Sequence, residues 1–305
     1  MSVEAVAFIP EVETKNIKAK TKISSNLFII PESDKRAQHL KESIENLGYK
    51  IEGGIYLYFD GEIKEDGTLY EIFQSYGLAL TFYYEGLSTC RAYQQFDSVK
   101  KQYLKPELYI NENDEFRYYL NDKIILNKSD VSKVEIFYEK ILKLFINKAY
   151  SPLTVSFEFF NKFLKEAEPK IRLLYLVICM ESIFLGKDEN EGVGYKLGMR
   201  GAYFLSNSDK TIDKNDVFTE LKNGYNLRSK IVHGSNYKKE SDGIIRRAAE
   251  RGKSRTELDH VFALEGILKK VYNTILNSDD VYDSVLDGSI GNNIDSIILS
   301  TKYKT

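Results

Sequence analysis

The residues of this chain that could do chemistry together are Arg228 and His233, which are separated by four residues and followed by Gly234. Arginine presents a planar fork of N–H donors that matches phosphate oxygens, and it stays charged in proteins. Histidine can accept and release a proton near neutral pH because its ordinary pKa lies there. Together, the two residue types could hold a phosphodiester and move the protons that its cleavage requires.

These residues lie near the end of a predicted helix over residues 217–233. One stripe of this helix carries residues at i, i+4, i+7 and i+11, namely Leu221, Tyr225, Arg228 and Val232. Arg228 therefore stands where the pattern asks for an apolar residue, and a guanidinium on a packing face needs an anionic partner. Gly234 fits the left-handed residue that ends a helix, which places His233 in the final turn.

Helix geometry separates the two side chains. Residues five positions apart point about 140° away from each other on an ideal helix. Arg228 and His233 therefore converge only if the final turn loosens before Gly234, or if a second copy of the chain brings its own pair alongside. A simpler interpretation is that both cations only complement the helix dipole and bond the terminal carbonyls.

The pattern R-x(4)-H at a helix end, present here from Arg228 to His233, resembles the ribonuclease motif of HEPN domains. Two further segments, Arg172 to Leu185 and Leu197 to Leu205, resemble the second and third helices of the ApeA-like branch of that superfamily. The resemblance covers roughly residues 150–280 and leaves the first half of the chain unexplained. It implies an all-α bundle that cleaves RNA without a metal or other cofactor, and a homodimer formed through this region.

The resemblance also implies roles for single residues. Arg228 would bind the phosphate, His233 would transfer protons, and Ser229 would orient either the arginine or a phosphate, although the family often has a larger polar residue there. Glu181 is the only formal charge from Leu173 to Leu185, so it is a candidate ion-pair partner for Arg228 or Arg200, and the resemblance implies that it steadies the arginine. The alternative is a carboxylate that reaches the edge of the bundle. Arg200 is expected to form a structural ion pair.

A basic segment follows the motif. From residue 222 to residue 255 the chain has ten Lys and Arg against three acidic residues, whereas the whole chain has a formal net charge of −2. This local excess predicts an RNA-backbone surface, and a solvated lysine-rich loop is the alternative. The predicted RNA-binding residues are Lys230, Tyr237, Lys238, Lys239, Arg246 and Arg247.

The predicted fold class is α+β, with a strand-rich mixed domain over residues 1–148, a HEPN-like helical domain over 149–280 and a polar tail over 281–305. Predicted strands of the first domain are residues 6–9, 22–30, 55–59, 78–84, 107–110, 116–120 and 123–126, with helices at 35–47 and 129–146. Residues 56–63 and 118–126 are predicted hairpins. The helical domain is predicted to contain helices at 152–167, 170–185, 193–205, 217–233 and 255–276, with a short helical piece at 244–250.

Other features exclude several kinds of site. Cys90 and Cys179 form neither a disulfide framework nor metal-ligand spacing, so we expect no metal. The longest apolar stretch, residues 173–180, is too short to cross a bilayer, and no signal peptide is evident, so we expect a cytoplasmic protein without membrane contact. His39 and His260 are predicted to be surface residues.

The sequence therefore predicts an endoribonuclease that cuts single-stranded RNA by attack of the 2′-hydroxyl, with a role in antiphage defence that follows from the resemblance. The alternative is a HEPN-type subunit that binds RNA or a nucleotide, or acts as a scaffold in a defence or toxin–antitoxin system, without catalysis. Residues 1–148 lack an evident catalytic constellation and are predicted to sense or dock a regulatory partner or ligand.

Overall fold

The computed structural model describes residues 2–10, 12–49, 51, 53–63, 68–86, 88, 90–97, 100–108, 124–147, 150–186, 189, 191–250 and 256–302. The chain divides into two compact units, Met1–Lys148 and Ala149–Thr305. The first unit contains an antiparallel sheet with helices, and the second is helical. This architecture confirms the predicted α+β class.

An antiparallel sheet organises the described part of the first unit. Its strands are β1 (Ser2–Ile9), β3 (Thr21–Lys22), β4 (Leu27–Ile30), β5 (Ile55–Glu62), β6 (Ala92–Asp97), β7 (Gln102–Tyr103) and β8 (Glu107–Leu108). Their order is β3-β4-β5-β1-β6-β7, with β8 also pairing with β6. A separate parallel pair joins β2 (Val12–Lys15) to β9 (Ile124–Asn127).

Three helices accompany this sheet in the described residues: α1 (Lys35–Glu45), α2 (Leu69–Tyr84) and α3 (Val131–Asn147). The helix α1 contributes Ala37, Leu40 and Ile44 to a hydrophobic core that includes Val6 and Tyr58 of the sheet. The three helical residues recur at i, i+3 and i+7, so one stripe of α1 can cover one face of the sheet.

Two predictions for this unit were wrong. Residues 78–84 belong to α2 rather than to a strand, because a capping box between Thr68 and Glu71 starts the helix and nearly every side chain from Leu69 to Phe82 is buried. A helix that is apolar all round has no helical periodicity to distinguish it from a strand. Residues 56–63 are not a hairpin, because β5 pairs with β1 without interruption as far as Glu62. The predicted strand at 116–120, and with it the second hairpin, lies outside the described residues.

The described part of the second unit consists of helices. They are α4 (Pro152–Lys165), α5 (Pro169–Phe184), α6 (Val193–Ser208), α7 (Lys214–Val232), α8 (Tyr237–Glu250), α9 (Glu257–Asn277), α10 (Asp279–Leu286) and α11 (Ile290–Lys302). Local signals start several of them: the Ser151 hydroxyl caps α4 with Pro152 in its first turn, and Thr256 and Asp259 form a capping box at α9. The helix α8 is longer than the short piece predicted at 244–250.

The predicted polar tail was wrong. Residues 279–302 form α10 and α11, which bury the apolar side chains Tyr282, Val285, Ile290 and Ile294. These residues recur three or four positions apart within each helix, a spacing that favours a helix with one packed side. Among the described residues, no helix is both long and apolar enough to cross a membrane.

Candidate functional site

The helix α7 carries the R-x(4)-H residues and ends as the sequence predicts. Gly234 has a positive φ of 61°, so it adopts the left-handed conformation. Its N–H donates to the Ile231 carbonyl at 3.3 Å, and the Ser235 N–H donates to the Lys230 carbonyl at 3.1 Å. These two bonds form a Schellman motif. His233 is the C-cap residue, with φ −89° and ψ 8°, so the chain has left the helical conformation at His233 itself.

The His233 side chain is exposed at this helix end. Its backbone N–H donates to the Ser229 carbonyl at 3.0 Å. Within the described residues, its imidazole makes no hydrogen bond or ion pair. The ring is therefore accessible to a ligand, but no other side chain of this part of the chain orients it.

The Arg228 guanidinium is half-buried and contacts α5. Its Nη2 lies 3.2 Å from Oε2 of Glu181, and the Arg228 side chain is 26% exposed. The Nε atom is buried and has no hydrogen-bond partner in the described structure. This ion pair is one of the two that the sequence predicts for Glu181, and it agrees with the expectation that an arginine on the packing stripe needs an anion. Because one carboxylate contact leaves most of the five donors of the fork uncommitted, Arg228 could also bind a second anion.

The Glu181 carboxyl is held in a largely apolar environment. Burial raises the pKa of Glu181 above its ordinary value, and the positive charge of Arg228 opposes this rise without cancelling it. The protonated form of Glu181 is therefore easier to reach than in water. Protonation would weaken the attraction between Glu181 and Arg228.

The structure does not join the two motif residues. Among the described residues, no hydrogen bond or ion pair links Arg228 to His233 or involves the Ser229 hydroxyl. The burial of the apolar stripe decreases toward the end of α7. Tyr225 packs against Gly194 of α6, where an added Cβ would lie 2.6 Å from the tyrosine ring. Val232, in contrast, is 52% exposed. Tyr225 is thus a packing residue, and the end of α7 projects beyond the core.

Arg200 has a different environment from Arg228. The Arg200 side chain is 2% exposed. Its Nη1 donates to the Phe184 carbonyl and to the Glu189 carboxylate, both at 2.7 Å. Its Nε and Nη2 form a bidentate pair with the Asp295 carboxylate at 3.0 and 2.6 Å. Asp295 and Glu189 raise the pKa of Arg200 further above its ordinary value. Arg200 therefore ties together α5, α6, α11 and the segment after α5, which is the structural role that the sequence predicts.

The predicted RNA-binding cations are exposed on α8. Lys238, Lys239, Arg246 and Arg247 are exposed, and the first three line a shallow depression together with Asn236 and Asp242. Tyr237 is half-buried and carries the Lys170 ammonium 5.6 Å from its ring centre. Lys230 is half-exposed on α7. Part of the basic excess, Arg251, Lys253 and Arg255, lies outside the described residues.

Sequence reasoning missed two groups of buried polar residues in this unit. His260 is 3% exposed, with Nδ1 at 3.3 Å from Oε2 of Glu220 on α7, so the prediction of a surface histidine was wrong. The second group surrounds Glu265. The Lys269 Nζ lies 2.7 Å from its carboxylate, and the Arg172 Nη2 lies 3.7 Å from it. The available signal was spacing, because His260 precedes buried Leu264 and Leu268 by four and eight positions on one side of α9.

Within the described residues, no group of three or more His, Cys, Asp or Glu side chains is arranged to hold a metal ion. The candidate site therefore consists of a half-buried guanidinium, an exposed imidazole one turn further along, and a basic helix after the turn. Comparisons of the chain with protein-family models, with curated proteins and with solved structures found no match.

Proposed function

We propose that this chain is a metal-independent endoribonuclease of the HEPN type, with Arg228 and His233 as its catalytic residues. The observation that carries the proposal is the state of Arg228. Its guanidinium is partly exposed, pairs with Glu181 alone among the described residues, and belongs to an R-x(4)-H pattern that ends at an exposed histidine. Arginine in this state can take a phosphate without breaking a hydrogen-bond network.

The reaction would be an in-line transesterification of RNA. The 2′-oxygen loses its proton and bonds to the adjacent phosphorus, and the bond from phosphorus to the 5′-oxygen breaks. The leaving oxygen takes up a proton, which leaves a 2′,3′-cyclic phosphate and a 5′-hydroxyl. Arg228 would stabilise the extra negative charge on the phosphorus oxygens, His233 would transfer a proton, and Ser229 would be a polar auxiliary.

A second copy of the chain would complete the site. One imidazole cannot easily act as base and acid in the same step, and no hydrogen bond or ion pair joins Arg228 to His233 in the described part of one chain. A homodimer through the helical unit would bring two guanidinium groups and two imidazoles to one groove. Glu181 would steady each Arg228, and Arg200 would hold the surrounding helices.

The basic face of α8 would bind the RNA backbone. Phosphate contacts from exposed Lys and Arg give affinity without sequence preference. The substrate would be single-stranded, because unpaired nucleotides can align the 2′-hydroxyl with the scissile bond. By the same resemblance the protein would act in the cytoplasm in antiphage defence, with the first unit or a partner restraining an otherwise toxic activity.

The test is cleavage of a single-stranded RNA in EDTA. We expect Arg228→Ala to lower the rate by about 10²–10³-fold, as for loss of a donor to a developing oxyanion. His233→Ala should lower it by about 10²–10⁴-fold, as for loss of a general acid or base. Arg228→Lys keeps the charge but loses the fork, so it should recover only part of the activity.

Lys214→Ala at the start of α7 and His39→Ala in the first unit are the matched controls, because each removes a cation or an imidazole that is not part of the R-x(4)-H motif. Both should cleave like the wild type. Thermal unfolding of every variant separates loss of activity from loss of folding. Equal cleavage by the wild type, Arg228→Ala and His233→Ala would reject the assignment.

A non-catalytic HEPN-type subunit that binds RNA or a nucleotide is the second candidate. It is favoured by the lack of a polar side chain that orients His233 in the described structure, because a general acid or base needs a fixed direction. In this case the wild type would bind RNA without cutting it, and Arg228→Ala would weaken binding.

A further inference from the structure

An exposed aromatic pair lies where α6 and α7 pack together in the second unit. Tyr195, in the first turn of α6, is 58% exposed. Its ring meets the half-buried ring of Phe218 on α7 edge to face, with 5.6 Å between the ring centres. A single exposed tyrosine is ordinary on a protein surface. The support, the charge and the position of this pair are what indicate a ligand.

The Phe218 ring of the pair is fixed by close packing of the two helices. At Gly198 of α6, an added Cβ would lie 2.9 Å from the Phe218 ring and 3.0 Å from the Phe218 carbonyl oxygen. The backbone of α6 therefore touches α7 here, and Phe218 forms a fixed support for the Tyr195 ring. A preformed aromatic surface lowers the entropic cost of binding a flat group.

The charge beside the aromatic pair is positive. The Lys222 Nζ lies 5.7 Å from the centre of the Phe218 ring, and Lys222 is exposed. The same lysine begins the segment 222–255, which has ten Lys and Arg against three acidic residues. Such a surface attracts the phosphates of a nucleic acid. A second copy of the same surface would bring like charges together, which opposes its binding here.

The aromatic pair also stands in line with the candidate catalytic residues. On α7, Phe218, Lys222 and Ser229 occupy positions i, i+4 and i+11, so they share one side of the helix, and His233 follows Ser229 by four positions. At 1.5 Å per residue, Phe218 and Ser229 are about 16 Å apart along the axis. An extended strand whose phosphate contacts Arg228 can therefore place a base further along on the aromatic pair.

Stacked bases on aromatic side chains, next to cations that follow the backbone, are how many proteins bind single-stranded nucleic acid. We propose that the Tyr195–Phe218 pair is a base-stacking site for single-stranded RNA, with the base on the Tyr195 ring and a phosphate on Lys222. This inference rests on the proposed function in taking RNA as the ligand. It does not require Arg228 or His233 to be catalytic.

The test is binding of a fluorescent single-stranded RNA to the full chain, measured by anisotropy. The RNA is 2′-O-methylated, which removes the attacking hydroxyl, so binding is measured without cleavage. We expect Tyr195→Ala to weaken binding by about fivefold or more, as for loss of one stacked base. Tyr195→Phe keeps the ring and should bind like the wild type. Lys222→Ala should make the slope of log affinity against log salt shallower by about 0.7.

An abasic strand of the same length separates stacking from phosphate contacts. It should bind the wild type more weakly than the strand with bases, and it should bind Tyr195→Ala and the wild type alike. Tyr49→Ala in the first unit is the matched control and should bind like the wild type, because it removes another exposed tyrosine. Thermal unfolding of each variant separates loss of binding from loss of folding.

The proposal is overturned if the wild type does not bind, if Tyr195→Ala binds like the wild type, or if the abasic strand binds as tightly as the strand with bases. A Tyr195→Ala variant that loses self-association but keeps its affinity for RNA assigns the surface to a second copy, which also overturns the proposal. Binding that depends on Tyr195, together with no cleavage of unmodified RNA, supports this site and rejects only the nuclease.

Discussion

Two arginines of the second unit differ in the partners that bind them. Arg200 uses Nε and both terminal nitrogens in hydrogen bonds and is 2% exposed, so it has no capacity for a ligand. Within the part of the chain that the structure describes, Arg228 has one ion pair, and its side chain is 26% exposed. Both stand among apolar residues in the sequence. The acidic residues that tertiary contacts bring to each guanidinium are what distinguish Arg200, a structural residue, from Arg228, a candidate phosphate ligand.

Glu181 should give the chain a measurable pH dependence. Burial raises the pKa of Glu181 above its ordinary value of 4.5, so the folded chain holds this proton more tightly than the unfolded chain. The contribution of Glu181 to the free energy of unfolding is therefore greatest below pH 4.5 and falls as the pH rises to the folded pKa. Glu181→Gln should remove this fall, as urea unfolding at a series of pH values can measure.

The control for this profile is Glu158→Gln on α4, because the Glu158 carboxylate is exposed. It should keep the shape of the wild-type profile. If the difference in unfolding free energy between Glu181→Gln and the wild type is the same from pH 4 to pH 8, the burial argument for Glu181 is wrong.

At the scale of the element, the end of α7 depends on one glycine. Gly234 has φ 61°, where an added Cβ meets no other atom within 4 Å but strains the backbone. Gly234→Ala should therefore destabilise the chain by about 1 kcal/mol through the left-handed conformation alone. Urea unfolding measures this change, and RNA cleavage should fall with it if the turn positions His233.

Replacing Gly266, in another helix of the same unit, by alanine should have the opposite effect on stability. It lies inside α9 without a positive φ, and an added Cβ meets no atom within 4 Å. Gly266→Ala should stabilise the chain by about 0.5–1 kcal/mol, because alanine loses less backbone entropy on folding. Effects of the same sign at the two glycines would contradict this account of the α7 terminus.

At the scale of the whole molecule, the last helix completes the second unit. Asp295 on α11 neutralises buried Arg200, which lies 95 residues earlier in the chain. Asp295→Ala would leave a guanidinium without its bidentate partner. We expect a loss of about 3 kcal/mol, the lower end of the range for breaking a buried ion pair, because Asp295 is itself one-third exposed.

Asp283→Ala on α10 is the matched control for this measurement, because Asp283 is exposed. It should cost no more than about 0.5 kcal/mol. The free energies of chemical unfolding of both variants show whether α11 stabilises the second unit or is a dispensable tail. A similar, small loss in both variants would favour the tail.

The sequence by itself determined what depends on neighbours along the chain. The caps at Ser151 and Thr256, the left-handed Gly234 and the helix before it follow from local hydrogen bonding and backbone conformation, so they could be predicted. It also determined that Arg228 needs an anion, because an arginine on an apolar stripe cannot be left unpaired.

Only the tertiary structure decided what depends on distant partners. In the tertiary structure, residues 78–84 belong to the largely buried helix α2, and β5 pairs with β1 along its whole length. His260 is buried beside Glu220, and Asp295 of α11 forms an ion pair with Arg200. Spacing along the chain can indicate that a residue is buried, but it does not identify the partner, because pairing depends on which segments meet in space.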